Sequence, residues 1–222
     1  MAQHEEPQAA THGRPENRHL LYIADPLCSW CYGFGPVISQ IAERHAGDLP
    51  VHVVMGGLRP GETRPSRAKD MDYLRSAWAH VGGLSGRPFN RAFFEREGFV
   101  YDTEPGCRAV VTLRHVFPQE ALGFLERLSV AFYADNRDMT NPEEIADVAG
   151  EAGFNRAEFL AAFHSDEARV GTQRDFALCI EAGIRGFPTL LAGGTGDGYQ
   201  ILTRGYCALE EIEGKLAAWM AR

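Results

Sequence analysis

The sequence predicts an α/β protein, a small sheet built from both ends of the chain with a large all-helical insertion between its halves. Three observations carry that expectation. An apolar run at Leu20-Leu21-Tyr22-Ile23-Ala24 leads into Cys28-Ser29-Trp30-Cys31 and then into a helical pattern. A second short apolar run follows at 51–55. No further strand-like run appears until 186–202, where two such runs flank a glycine-rich turn ahead of a last amphipathic segment.

Taken in order, residues 19–24 read as a short buried strand, broken by Asp25-Pro26-Leu27. Trp30 to His45 reads as a helix, with Phe34, Val37, Ile38 and Ile41 as its apolar stripe; Pro36 within it predicts a kink or a restart. Gly47-Asp48-Leu49-Pro50 ends that helix. Val51-His52-Val53-Val54-Met55 is a second strand, stopped by Gly56-Gly57. Strand, helix and strand with short connections form a βαβ unit, whose strands should be parallel.

From about Arg59 to Gly183 the pattern is helical. Tyr73, Ala77, Trp78 and Val81 mark one amphipathic helix. Further helices are expected over Glu104–Phe117, Pro118–Asn136, Asn141–Glu151 and Asn155–His164. Asn141 with Pro142 reads as an N-cap followed by proline at the first helical position. Ser165-Asp166-Glu167 opens another helix running toward Gly183. Gly186 to Ala192 and Tyr199 to Leu202 then make a β-hairpin across Gly193–Gly198. That glycine run joins strand to strand rather than strand to helix, which weakens any reading of it as a phosphate cradle. Cys207 to Ala221 closes the chain as a helix, with Leu209, Ile212, Leu216 and Trp219 toward the core. The expected organisation is a tail at 1–17, a sheet-centred unit from 18–60 and 184–222, and a helical insertion at 61–183.

The chemistry concentrates at Cys28 and Cys31. On the first turn of a helix, residues three apart share a face, so the two thiols can approach within disulfide reach. Cys28 would sit over unpaired backbone N–H groups at the positive end of the helix dipole, which favours its thiolate and makes it the nucleophile. Cys31, one turn further in, would be the resolving thiol. A zinc site needs a second ligand pair, but Cys107, Cys179 and Cys207 are singletons and the histidines show no ligand spacing. No metal is expected. A purely structural bridge this short would restrict the unfolded chain little.

The 222-residue chain is 45% apolar with a net charge of −8, which argues against nucleic acid or an anionic membrane surface as the main partner. No apolar run is long enough to span a membrane. Residues 1–17 are polar, lack the apolar core of a secretory signal, begin at a Met, and read as an unprocessed, disordered start. The expected compartment is therefore the cytoplasm, where thiols stay reduced and five cysteines need not form a disulfide framework.

The element order matches a thioredoxin-like plan. Asp25-Pro26-Leu27-Cys28-Ser29-Trp30-Cys31-Tyr32-Gly33-Phe34 resembles the active-site segment of cytoplasmic members of the DsbA family, including FrnE-like dithiol oxidoreductases. Gly186-Phe187-Pro188-Thr189 resembles that family's cis-proline loop, and the resemblance extends over nearly all of the chain beyond residue 18. It implies a thiol–disulfide oxidoreductase or disulfide isomerase, acting on protein or small-molecule disulfides and thiols, with Cys28 attacking and Cys31 resolving. It implies no cofactor beyond the redox-active disulfide, with glutathione as a candidate co-substrate. It also implies a cis Pro188 packed against the cysteines, leaving the backbone of Phe187 free to pair with a substrate strand beside Thr189. Trp30 would serve as an apolar platform for substrate or pack on the insertion.

The chain departs from the wider thioredoxin pattern at Tyr22, where many relatives carry a buried carboxylate. Asp25 is nearer the cysteines, and a loop-capping role suits it better than catalysis. Arg108, Arg114 and His115 share a helical segment and would either line a groove for an acidic ligand or, more often for such clusters, form a solvated face. Cys107 opens a helix, which would acidify it, but a buried apolar thiol is the preferred reading there and at Cys179. A glutathione-dependent transferase or isomerase of the kappa-class or hydroxychromene-carboxylate isomerase type is the alternative on the same plan. Those relatives use Ser where Cys28 stands and lack a second Cys, so Cys31 favours the dithiol reading. A non-catalytic partner-binding module is a third possibility, against which the intact cysteine pair and Pro-Thr loop argue.

Overall fold

The computed structural model describes residues 18–194 and 198–222. The expected tail at 1–17 and the tip of the hairpin turn, 195–197, lie outside the described residues. Four strands form one sheet in the order β2-β1-β3-β4: β1 (His19–Ala24), β2 (Val51–Met55), β3 (Thr189–Gly194) and β4 (Gly198–Arg204). β1 and β2 are parallel, with Tyr22 opposite Val53. The crossover between them is α1 (Ser29–Arg44), as a βαβ connection requires. β3 runs antiparallel to both β1 and β4, with a register shift at Leu190/Leu191. Val, Ile and Leu fill β1, β2 and β3 because these strands are covered by helices.

Between β2 and β3 lie α2 (Ala68–Ser85), α3 (Glu104–Val116), α4 (Ala121–Tyr133), α5 (Pro142–Glu151), α6 (Arg156–Phe163) and α7 (Asp166–Glu181), with no strand among them; α8 (Leu209–Met220) closes the chain. Asn141, Asn155 and Ser165 cap α5, α6 and α7 through side-chain oxygens accepting backbone N–H bonds, each satisfying donors a helix start leaves orphaned.

Several boundaries differ from the sequence expectation. α1 continues through the exposed Pro36 as one helix rather than restarting. Pro118–Glu120 is a turn of 3-10 helix, and α4 begins only at Ala121. The residue before a proline is pushed out of the α region, and Phe117 sits at φ −130°, ψ 72°. A further 3-10 turn, Arg91–Glu95, had no clear periodicity to announce it. In α8, Ile212 and Leu216 are buried, whereas Leu209 and Trp219 are only half-buried.

One core joins sheet and helices. Tyr22 and Leu20 of β1, Tyr32, Phe34 and Ile38 of α1, and Trp78, Phe93, Tyr101, Phe132 and Tyr133 from the helical region belong to a single cluster. Trp78 touches the rings of Phe89, Phe93, Phe94 and Tyr133 at 4.7–5.3 Å. Such aromatic contacts add to the burial term, so the helical region shares the core around the active-site helix.

Candidate active site

Cys28 is the N-cap of α1, in extended backbone conformation (φ −94°, ψ 116°), and accepts the Tyr32 amide on its carbonyl at 3.0 Å. The Asp25-Pro26-Leu27 break turns β1 into this position. The Cys28 amide donates to Asp25 O at 3.0 Å, and Asp25 Oδ1 accepts the Leu27 amide at 2.8 Å. Its other oxygen accepts the Leu58 amide at 2.6 Å. Asp25 is therefore a loop clasp between the β1 and β2 ends; burial raises its pKa, opposed by these donated bonds.

The two cysteines occupy different environments. Cys28 is 5% exposed and Cys31 is fully buried, and both are free thiols. Burial pushes the Cys31 thiol well above its ordinary value, with the hydrogen bond to Cys28 and the Cys28 charge adding to it. The Cys28 thiol donates to Phe187 O at 3.7 Å, and the Phe187-Pro188 bond is cis. The Pro188 loop thus lies directly against Cys28. The Phe187 ring occupies the space a side chain at Gly56 would need, so glycine is required there. Thr189 is buried and spends its hydroxyl on Gly186 O at 2.8 Å; it closes the loop rather than presenting a donor to substrate. Trp30 is half-buried, with its ring 5.5 Å from His80 of α2 and 6.1 Å from Tyr206. It packs between the helical region and Tyr206, in the first turn of α1.

The helical region also holds the loop ahead of Cys28. Tyr101 and Tyr133 both donate to Leu27 O, at 2.8 and 2.5 Å, and Ser129 donates to Pro26 O at 2.9 Å. Nothing local in the sequence announces these residues. They lie 74–106 positions from the carbonyls they satisfy.

Other sequence candidates fall outside this constellation. Cys107 is fully buried and donates to Asp25 Oδ2 at 3.4 Å. Burial and the Asp25 charge raise its pKa, so the acidification its helix-start position suggested is outweighed by desolvation. Cys179 faces Met55 O at 3.7 Å, and burial pushes it up to about 11. Arg108 pairs with Glu104 and stacks on Phe163 at 4.2 Å, Arg114 pairs with Asp175 at 2.7 Å, and His115 is exposed beside Glu167. Arg114 and His115 do line one cavity, with Arg174, but Arg108 lies outside it and each of the three is engaged in its own ion pair. Among the described residues no cluster of His, Cys, Asp and Glu could hold a metal ion, and no helix is long and apolar enough to cross a membrane.

A family model, the DSBA-like thioredoxin domain, matches residues 22–216. The chain belongs to this DsbA-like family. Its fold is that of the solved structure called "a putative protein disulfide isomerase from Nitrosomonas europaea", with a TM-score of 0.87 and 33% identity over 92% of this chain and 98% of that one. It also matches the "Cytosolic disulfide reductase DsbM from Pseudomonas aeruginosa with GSH", with a TM-score of 0.73 and 24% identity over 92% of this chain and 100% of that one. The ClpXP adapter protein SpxH of Bacillus subtilis is 22% identical over 190 residues, 85% of this chain. The chain spans 62% and 56% of the length of the two curated relatives it matches. A 2-hydroxychromene-2-carboxylate isomerase shares the DsbA-like fold at a TM-score of 0.65 and 17% identity.

Proposed function

We propose that this DsbA-like protein is a dithiol oxidoreductase in which Cys28 is the nucleophile and Cys31 resolves. Cys28 attacks a substrate disulfide, forming a mixed disulfide and releasing one substrate thiolate. Cys31 then attacks the Cys28 sulfur; the Cys28–Cys31 bond forms and the second substrate thiolate leaves. The observation that carries the reading is the asymmetry of the pair: Cys28 sits at a helix N-terminus against the Pro188 loop and keeps 5% exposure, while Cys31 is fully buried one turn further in. An extended substrate would lie along the loop and pair with the Phe187 backbone, flanked by Trp30. Protein or small-molecule disulfides are the substrate class, glutathione is the candidate co-substrate, and the cytoplasm is the compartment, since a fold relative is described as cytosolic and solved with GSH.

The glutathione-dependent isomerase reading is favoured by fold likeness alone and gives no role to a second thiol beside the first. An adapter role, named for the SpxH relatives, would leave Cys28 and Cys31 without chemistry. The deciding experiment equilibrates the protein with glutathione redox buffers and, separately, challenges Cys31→Ser with a disulfide substrate. The expected result is reversible interconversion of dithiol and disulfide in the wild type, and a stable mixed disulfide on Cys28 in the variant. A Cys31→Ser protein that turns over disulfides as fast as wild type would refute the assignment of the resolving thiol.

A further inference from the structure

Resolution imposes a requirement that the two cysteines alone do not meet. Cys31 is fully buried, yet its thiol must shed a proton before its sulfur can attack. Asp25 is close, but its oxygens already accept the amides of Leu27 and Leu58 and the Cys107 thiol. Two other groups remain. Tyr22 Oη and Glu126 Oε2 are buried and, among the described residues, make no hydrogen bond of good geometry, though Tyr22 Oη lies near enough to the Cys31 thiol to interact with it. An orphaned buried polar atom is costly unless it serves a purpose or holds a water.

Tyr22 meets Cys31 itself, and Glu126 meets the turn of α1 that follows it. Tyr22 stands in the middle of β1, between Val53 and Leu190, with its ring 5.9 Å from Phe34. Its hydroxyl lies close enough to feel the charges of Cys31, Cys28 and Glu126. Glu126 comes from α4. Its Oε1 is held by Arg87, whose guanidinium caps the Tyr32 ring at 3.9 Å. Its Oε2 lies against α1 at Gly35, where any Cβ would collide with it. Gly35 is four residues after Cys31 and so shares its helix face. The carboxylate therefore sits about one turn of α1 from the buried thiol, and its side chain is 25% exposed, giving the proton a way out.

We propose that Tyr22 and Glu126 form the proton path of Cys31, rather than acting as inert core. The proposal rests on the dithiol reading above. As Cys31 attacks the mixed disulfide, its proton passes to Tyr22 Oη while the Tyr22 proton passes to Glu126 Oε2, a water spanning the two orphaned atoms. The Cys28–Cys31 bond forms, the substrate thiolate leaves with the electron pair, and the proton leaves Glu126 for solvent. Burial raises both groups: Tyr22 stays a neutral phenol that can only relay, and Glu126 holds a proton more readily than an ordinary carboxylate. The charged and titratable groups facing the path are Cys28 and Tyr32 on α1, Asp25, and Arg87 paired with Glu126.

Ellman's reagent separates the steps. Reduced protein attacks it through Cys28, releasing one thionitrobenzoate, and resolution by Cys31 releases a second, so stopped flow reads two phases. In Tyr22→Phe and in Glu126→Gln the first phase should keep its rate, while the second slows about 100-fold, the low end for a positioned proton carrier. In wild type the second phase should rise with pH as Glu126 ionises, a limb absent from Glu126→Gln. The double variant should be no slower than the slower single, because both act on one path. A second phase slowed less than about tenfold in either single variant, with the limb retained in Glu126→Gln, overturns the proposal. Failure of the dithiol reading looks different: the wild type would release only one equivalent, or Cys31→Ser would still release two.

Discussion

Removing the two phenolic hydroxyls that meet at Leu27 O should reveal a coupling that neither removal shows alone. Leu27 is fully buried, and its carbonyl accepts Tyr133 at 2.5 Å and Tyr101 at 2.8 Å, the two hydroxyls lying 3.3 Å apart. Tyr101→Phe or Tyr133→Phe alone leaves that carbonyl one donor. Each should cost about 1 kcal/mol, the net worth of one ordinary hydrogen bond. The double variant leaves a buried carbonyl without either donor and adds the desolvation penalty of roughly 1–3 kcal/mol. The total should reach about 3–5 kcal/mol, a coupling of about 1–3 kcal/mol beyond the sum of the singles. Urea unfolding of the four proteins, under reductant, measures the cycle. Hydrogen exchange at the Leu27 amide, which donates to Asp25, should speed up most in the double variant and report loosening of the loop itself. Additivity within about 0.5 kcal/mol would refute the reasoning, because it would mean that Leu27 O draws its stabilisation from elsewhere and the helical region does not hold the loop.

Two further outcomes follow from the same packing. Burial raises the thiols of Cys31, Cys107 and Cys179, the last to about 11. The folded state then holds these protons more tightly than the unfolded chain, so their contribution is complete below an unfolded thiol value of about 9 and is lost as pH rises toward the folded values. Urea midpoints under reductant should fall steadily between pH 9 and 11, and a flat profile there would contradict the burial argument. Gly35→Ala should displace Glu126 Oε2 from α1 while gaining up to about 1 kcal/mol of helix propensity. Its urea midpoint should hold while the second thionitrobenzoate phase slows as in Glu126→Gln; an unchanged phase would show that the carboxylate's place against α1 is immaterial.

The parts of this molecule that the sequence made legible are those set by short-range pattern. The apolar runs at 20–24 and 51–55, the Asp25-Pro26 break, and the Asn141-Pro142 start each act within a few residues. Asp25 could be read as a clasp because its partner Leu27 is two residues away. What pattern misses is set by partners far along the chain. Tyr101, Ser129 and Tyr133 meet Pro26 and Leu27 only once α4 and the segment ahead of α3 pack against the loop before α1. The same distance hides Glu126, whose meaning depends on Gly35 and Arg87. At Cys107 a valid local rule fails because a competing effect is larger: a helix start lowers a thiol pKa by partial charges, but full burial beside the Asp25 carboxylate raises it more. Tyr22 lies between the cases. Its place before the cysteines marked a departure from the usual carboxylate, while its orphaned hydroxyl emerges only from the packed core.

The burial of Cys31 has a consequence that does not depend on which thiol is more acidic. A substrate disulfide can meet only a sulfur it can reach, and of this pair Cys28 alone keeps any exposure, 5% against none for Cys31. On the proposed reading, the order of steps is therefore imposed by access: the mixed disulfide must form on Cys28, and Cys31 acts only after a substrate is already attached. Selectivity then lies with what surrounds Cys28 rather than with the dithiol itself. The Phe187 carbonyl faces the sulfur at 3.7 Å. Two positions along the chain from Cys28, Trp30 is fixed between His80 of the helical region and Tyr206 of the sheet unit's C-terminal part. A substrate wide enough to engage both Phe187 and Trp30 touches sheet and helical region at once, so Trp30→Ala should weaken capture of peptide disulfides more than capture of a small disulfide such as Ellman's reagent. Single-turnover rates for the two substrate classes give the comparison. An equal loss for both would place Trp30 with the packing of α1 instead of with substrate.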